Sequence, residues 1–288
     1  MKQYGNKSFY NRKELLQFIK VNRDFEVQRR KSIVKYSDAV HMASDALQKL
    51  LWPTKDNVTK AVLYADDLKN GVASRTLLVN TYLWRDSHYD VHLPGTFTRS
   101  IEQRALKIPP IDQHNFDLDH IMGVTRSITE QPFEWKALNV DRPGETIGVV
   151  TETDILQSKS PRRFQDYVDK AIDQHSVGMC YLQVSCAIDD PDSPNEYELY
   201  KKWVDQLGNQ ADVEEDGFFF GVFEAKLMEY SCVIAGSNPL TPVLYPQKGT
   251  TENGETRPSD TLKALEALSN KLELNQSLNN LNLKLCQK

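Results

Sequence analysis

Between residues 58 and 246 the chain returns again and again to short segments rich in β-branched and aromatic residues, and only two helical patterns interrupt them. Strands that do not alternate regularly with helices cannot build a doubly wound parallel sheet. The expected class is therefore α+β, with an antiparallel β-barrel or strongly bent sheet carrying packed helices. The strand-like segments are 61–65, 76–84, 105–111, 121–128, 133–140, 145–155, 177–188 and 218–234. Asp141-Arg142-Pro143-Gly144 has the residues of a hairpin turn between two of them. One helix is predicted over 161–174, with Ser160 as N-cap and Pro161 at its first position. The other opens on Ser193-Pro194-Asn195-Glu196 as a capping box, carries Tyr197, Tyr200, Trp203, Val204 and Leu207 as its apolar stripe, and stops at Gly208. An acidic loop is expected over 209–217.

The flanks differ in character. Residues 1–57 show helical spacing at Leu15, Leu16, Phe18 and Ile19, and again from Ala39 to a stop at Pro53. Residues 1–36 hold ten Lys or Arg against three acids, a local +7 on a chain of net charge −5. Such a basic helical appendage reads as a solvated face or, more sharply, as a docking site for an acidic partner. It lacks the interleaved aromatics of a single-strand nucleic-acid platform. Residues 247–260 contain no apolar side chain and are expected to be a flexible linker. In 261–288, Leu262, Leu265, Leu268 and Leu272 share a helical face, followed by Leu274, Leu278, Leu281 and Leu285 on a shifted phase. A lone helix cannot satisfy that seam, so it should pack on its own barrel or pair with another chain.

No apolar run approaches the roughly 18 residues needed to span a bilayer, and the amino terminus has no apolar signal-like core. The expectation is a cytosolic protein without a membrane partner. Cys180, Cys186, Cys232 and Cys286 show no C-x-x-C or zinc-ligand spacing, which argues for buried thiols over a disulfide framework or metal site.

Among six histidines, His114 follows a strand-like segment, opens a loop and stands among Asp112, Asp117 and Asp119, a setting suited to a general base. Ser176 lies at a helix-to-strand junction, where Gly178 permits close approach of a substrate backbone and nearby amides could hold an oxyanion. Glu229 sits in the apolar stretch 227–234, and by alternation shares a face with Leu227, Ser231 and Val233. A carboxylate so placed needs a partner, either a histidine or a cation such as Lys226. Cys180 and Cys186 would be the nucleophiles of an alternative cysteine hydrolase.

These pieces resemble a known family. Asp90-Val91-His92-Leu93-Pro94-Gly95-Thr96-Phe97, then Gln113-His114, Met122-Gly123, Ser176-Val177-Gly178-Met179, Leu227-Met228-Glu229-Tyr230-Ser231-Cys232-Val233 and Asn238-Pro239 are similar, in order, to the motifs of the tailed-phage prohead (head maturation) serine proteases. The likeness covers roughly residues 60–245. It departs at Thr96, at Met179, at Gly236-Ser237 and in a long insertion over 189–217. The resemblance implies a β-barrel serine peptidase domain over 58–246, distantly similar to herpesvirus assemblin. His114 would be the base and Ser176 the nucleophile. The third member would be Glu229, with Asp117, His120 and His175 as rivals because the herpesvirus relatives use a second histidine. It further implies no metal or organic cofactor, a place in the host cytoplasm inside the assembling prohead, and the major capsid protein and scaffold as partners and substrates. The exposed linker suggests self-cleavage within 247–260, and the runner-up is an inactive head or scaffolding protein on the same fold.

Overall fold

The computed structural model describes residues 1–36 and 70–245. By contact density the chain divides into two units, Met1–Tyr245 and Pro246–Lys288. The expected strand at 61–65, the apolar run from Ala39 to Leu51, the linker over 247–260, the leucine-rich helix over 261–288 and Cys286 all lie outside the described residues.

A short hairpin, β1 (Lys2–Tyr4) and β2 (Lys7–Phe9), leads into α1 (Arg12–Lys31). Asn11 caps that helix by accepting from the Glu14 amide, and Arg29, Arg30 and Lys31 sit at its carboxyl end, each favourable to the helix dipole. Leu15 and Ile19 are wholly buried, so α1 belongs to the core instead of standing apart as an appendage. Its basic residues meet acids of the same chain. Lys2 pairs with Glu215 and Asp216, Arg12 with Asp189, Lys20 with Asp190 and Arg23 with Glu196. Most of these pairs are partly exposed and worth about 0–1 kcal/mol each, but together they use up much of the expected basic face internally.

One pair is different in kind. Arg30 is buried, with Nε donating to Asp90 Oδ1 at 2.7 Å, one terminal nitrogen donating to Glu26 Oε2 at 2.8 Å, the other donating to the His88 carbonyl at 3.0 Å, and the guanidinium lying 3.5 Å above the Phe220 ring. Replacing it by alanine takes the buried cation from Asp90, which keeps the Tyr181 hydroxyl, and from Glu26, which keeps Arg29 and the Tyr4 hydroxyl. Arg30→Ala is expected to lower stability by about 3–5 kcal/mol, read from urea unfolding, whereas Lys20→Ala should cost under about 1 kcal/mol.

Beyond α1 come β3 (Val34–Tyr36), β4 (Val72–Thr81), β5 (Asp90–His92), α2 (Thr98–Arg104), β6 (Pro110–Asp112), β7 (Gly123–Glu134) and β8 (Glu145–Leu156). They are followed by α3 (Pro161–Val168), β9 (His175–Ile188), α4 (Pro194–Trp203), α5 (Gln210–Asp216) and β10 (Phe218–Cys232). One sheet has the order β3-β9-β10-β5, with β6 also paired to β10; the other has the order β4-β8-β7. The second sheet is antiparallel throughout, while β5 and β6 run parallel to opposite ends of β10. Leu77, Leu78, Val149 and Val150 of one sheet share a hydrophobic core with Val177, Met179, Val222 and Leu227 of the other. Inside that core the Tyr230 hydroxyl bridges Thr125 and Thr153 at 2.8 and 2.7 Å.

The mixed α+β class, with mainly antiparallel strands and packed helices, is observed. Among the described residues the ladders do not close into a barrel, because β5 and β6 add to β10 as short side strands instead of joining the two sheets edge to edge. Local expectations also shift. The segment 105–111 is a 3-10 turn followed by the three-residue β6. The helix expected to Gln174 ends at Val168, and Lys170 turns left-handed at φ 57. Neither Ser160 nor Ser193 makes a side-chain cap hydrogen bond. A 3-10 turn follows Trp203 before Gly208 is reached, and the acidic loop is the short helix α5, closed by Gly217 at φ 79.

Candidate active site

The long antiparallel pair β9 and β10 carries two of the predicted residues. Its register sets Ser231 opposite Ser176 and Glu229 opposite Gly178, but Leu227 opposite Met179. Met228 is therefore an extra residue, a β-bulge, and it changes which face β10 presents. Simple alternation puts Leu227 and Glu229 on one face; the bulge separates them. Leu227 goes to the core with Met179, while Glu229 joins Ser231 and Ser176. The register also assigns a job to Gly178. A Cβ built there would lie 2.0 Å from Glu229 Oε1, so the missing side chain makes room for the carboxylate rather than for a substrate backbone.

His114 arrives from a different direction. Parallel pairing of β6 with β10 sets Asp112 beside Cys232, and the chain then turns tightly through Gln113 at φ 49 and His114 at φ 56. Two successive non-glycine residues in the left-handed region cost about 1–2 kcal/mol each and persist only where neighbours hold them. The holding bonds are Gln113 N–H to the Cys232 carbonyl, Asn115 N–H to the Asp112 carbonyl, and His114 N–H to Ser231 Oγ at 3.0 Å.

The three predicted residues form one relay. His114 Nδ1 lies 2.5 Å from Glu229 Oε1, and His114 Nε2 lies 2.7 Å from Ser176 Oγ. An ionised carboxylate can only accept, so Nδ1 carries the proton and Nε2 offers its lone pair to the serine hydroxyl. Ser231 Oγ donates to the second carboxylate oxygen, Glu229 Oε2, at 2.7 Å. Glu229 is thus wholly buried yet satisfied on both oxygens, the condition under which a charge survives desolvation. Serine, imidazole and carboxylate in this order can move a proton off the hydroxyl and stabilise the resulting imidazolium.

No protein-family model, curated protein or solved structure matches this chain.

The rival acids and bases lie elsewhere. Asp117 is exposed and caps the 3-10 turn Leu118–His120 by accepting from the Asp119 amide. His175 Nδ1 donates to the Thr241 carbonyl at 2.9 Å, and the Tyr167 hydroxyl donates to Nε2 at 3.0 Å. Lys226, the cation weighed as a partner for Glu229, is opposite Cys180 on β10 and outside the relay. Burial raises the thiols of Cys186 and Cys232, the latter to about 12 with Asp112 adding to the effect, the reverse of an activated nucleophile.

His175 reports on pH. Burial pulls its pKa from 6.5 down to about 4, only partly offset by the Thr241 carbonyl. The folded chain keeps the imidazole neutral while the unfolded chain protonates it. Its contribution is complete above pH 6.5, shrinks as pH falls below that value and is exhausted near pH 4. The full effect is about 3 kcal/mol. Urea midpoints between pH 7 and pH 4.5 should fall less for His175→Gln than for the unchanged protein.

Two expectations about the serine are corrected. Ser176-Val177-Gly178 forms the second to fourth residues of β9 and does not lie on a helix-to-strand turn. The hydroxyl is covered: Ser176 is 1% exposed and His114 8%. A hollow of about 390 Å³ is lined in part by Gln113, Arg163, Asp166, Gln174 and Val233, and Ser176, His114 and Glu229 are not among its lining residues.

The remaining motif residues fasten the site. Thr96 Oγ1 lies 2.7 Å from both the Leu93 and the Val222 carbonyls and shares its one proton between them, binding the segment after β5 to β10. Asn238 Nδ2 donates to the Thr81 carbonyl and its Oδ1 accepts from the Leu240 amide, holding the segment after β10 against β4. Ser231 and the bulge at Met228 are what sequence reasoning missed. Ser231 stood inside the motif without a role, and only its position two residues beyond a buried acid hinted at one.

Proposed function

We propose that this chain is a serine endopeptidase of the prohead-protease kind, with Ser176 as nucleophile, His114 as general base and Glu229 as the orienting acid. The observation that carries this reading is the hydrogen-bonded series Ser176, His114, Glu229, assembled from three segments distant in sequence. In acyl transfer, Ser176 Oγ attacks a peptide carbonyl as His114 Nε2 takes its proton. The protonated His114 then gives that proton to the departing amine, leaving an ester on Ser176 that water hydrolyses. On this reading the barrel-type architecture of such proteases, capsid or scaffold precursors as substrates, and self-cleavage within 247–260 go together. A fluorophosphonate tests it, because its phosphorus is attacked only by an activated serine. Mass spectrometry should find the adduct on Ser176 in the unchanged protein and none in His114→Ala.

One observation favours a second reading, an inactive structural head component: Ser176 has almost no surface. Co-expression with capsid precursor separates the two, since a structural component leaves the precursor intact whether or not Ser176 is present.

A further inference from the structure

Resting on Ser176 as nucleophile, we propose that β3 is a self-supplied strand occupying the edge of β9 on which an extended peptide substrate docks, and that β3 must leave before peptide can engage the site. The reasoning starts from which backbone edges of β9 are in use. β10 takes one edge along its full length, from Phe218 opposite Ile188 to Cys232 opposite His175. On the other edge, β3 pairs antiparallel with the stretch nearest the nucleophile: Val34 opposite Cys180, Lys35 opposite Met179 and Tyr36 opposite Gly178. Its direction carries the chain toward Ser176, and its last pairing partner is two residues from that serine.

Extended peptides bind proteins by adding a strand to a free sheet edge. Pairing with the strand that carries the nucleophile sets the register of the scissile carbonyl directly. The edge β3 holds is thus where such a peptide would lie.

β3 is also short. It has three residues, and Ile33 and Val34 remain 43% and 40% exposed, so main-chain bonds supply much of its hold there. Immediately before it, α1 is anchored by the buried Arg30, which leaves Ser32 at the helix end as the place where a firmly held segment meets a releasable one. The 1% exposure of Ser176 is what a site closed by its own chain would show.

The test uses the full chain with Val34→Pro and Lys35→Pro together. Successive N–H groups of a strand point to opposite sides, so one of the two prolines must remove a bond to β9. Labelling of Ser176 by a fluorophosphonate-tagged peptide should accelerate at least about tenfold, the population shift expected on removing a competing strand. In a Ser176→Ala background, a synthetic peptide of residues 31–36 should bind the double-proline chain, protect amides 178–180 from hydrogen exchange, and not bind the parent. Equal labelling of folded parent and variant overturns the proposal, as does absence of peptide binding to the variant. Peptide binding to the variant with no labelling of Ser176 in either chain supports the docking edge while removing the peptidase reading. Should the variant fail to fold, hydrogen exchange on the parent decides. β3 amides exchanging at least about tenfold faster than those of the β9–β10 ladder support release, and equal protection overturns it.

Discussion

Ser176→Ala is expected to lower peptide-bond hydrolysis by about 10⁶-fold, and His114→Ala by a similar factor, with the double variant no worse than either alone. Residues that act as one unit lose their joint effect when any member goes, so the losses do not add. The measurement is the rate of precursor cleavage by purified variants, with circular dichroism to show that the fold is kept. Folding should be little affected. Removing the Ser176 hydroxyl takes one hydrogen bond from His114 Nε2, a loss of about 1 kcal/mol. Glu229→Gln should retain the shape and still lose about 10⁴-fold, because an amide can turn its NH₂ toward Nδ1 and stabilise the wrong tautomer. Equal activity in the unchanged protein and Ser176→Ala would remove the peptidase assignment outright.

The second large effect is expected from adding a single methyl group. In Gly178→Ala the new Cβ would sit 2.0 Å from Glu229 Oε1 and 2.9 Å from its carboxyl carbon, far inside contact distance. Neither group can yield freely, since Gly178 is held in β9 between two strands and Glu229 is bonded to both His114 and Ser231. The clash should cost about 1–3 kcal/mol in stability and, by moving the carboxylate on the order of 1 Å, about 10²-fold in rate. A double variant makes the cause visible. Gly178→Ala with Glu229→Ala should recover part of the stability lost by Gly178→Ala while remaining inactive, a coupling between two contacting residues that chemical denaturation can measure. Additive losses would mean that Gly178 matters for some reason other than room for the acid.

Much of this site could be read from residue order alone, and the reasons are local. Ser176 and His114 stood out by setting, a small-residue stretch and a loop among acids, together with their likeness to the prohead-protease motifs, whereas Glu229 stood out mainly by that likeness. The strands that carry them were legible through β-branched and aromatic content, which explains why β8, β9 and β10 fall within a few residues of expectation. What stayed hidden depends on contacts between distant segments. The left-handed pair Gln113 and His114 carries no glycine to announce it, and is held by Cys232 and Ser231 more than a hundred residues away. The bulge at Met228 leaves no mark in residue type, because Leu227-Met228-Glu229 suits an unbroken strand equally well. The helix starts at Ser160 and Ser193 fall where expected although neither hydroxyl makes a cap bond, whereas the helix expected to reach Gln174 stops at Val168. The basic amino terminus looked like a solvated face or a docking surface because its acidic partners, Asp189, Asp190, Glu196, Glu215 and Asp216, lie far along the chain.

The bulge has a bearing on how such a site tolerates change. The aim of Glu229 is set by its pairing with Gly178, the neighbour of Leu227's partner Met179, not by what Met228 is. Substitutions at Met228 should therefore be accepted widely, and deletion of that one residue would leave Leu227 and Glu229 as neighbours on opposite faces by plain alternation, still opposite Met179 and Gly178, so Glu229 and Ser231 should keep their aim at His114. At this one position the site is guarded against changes of spelling and against the loss of a letter.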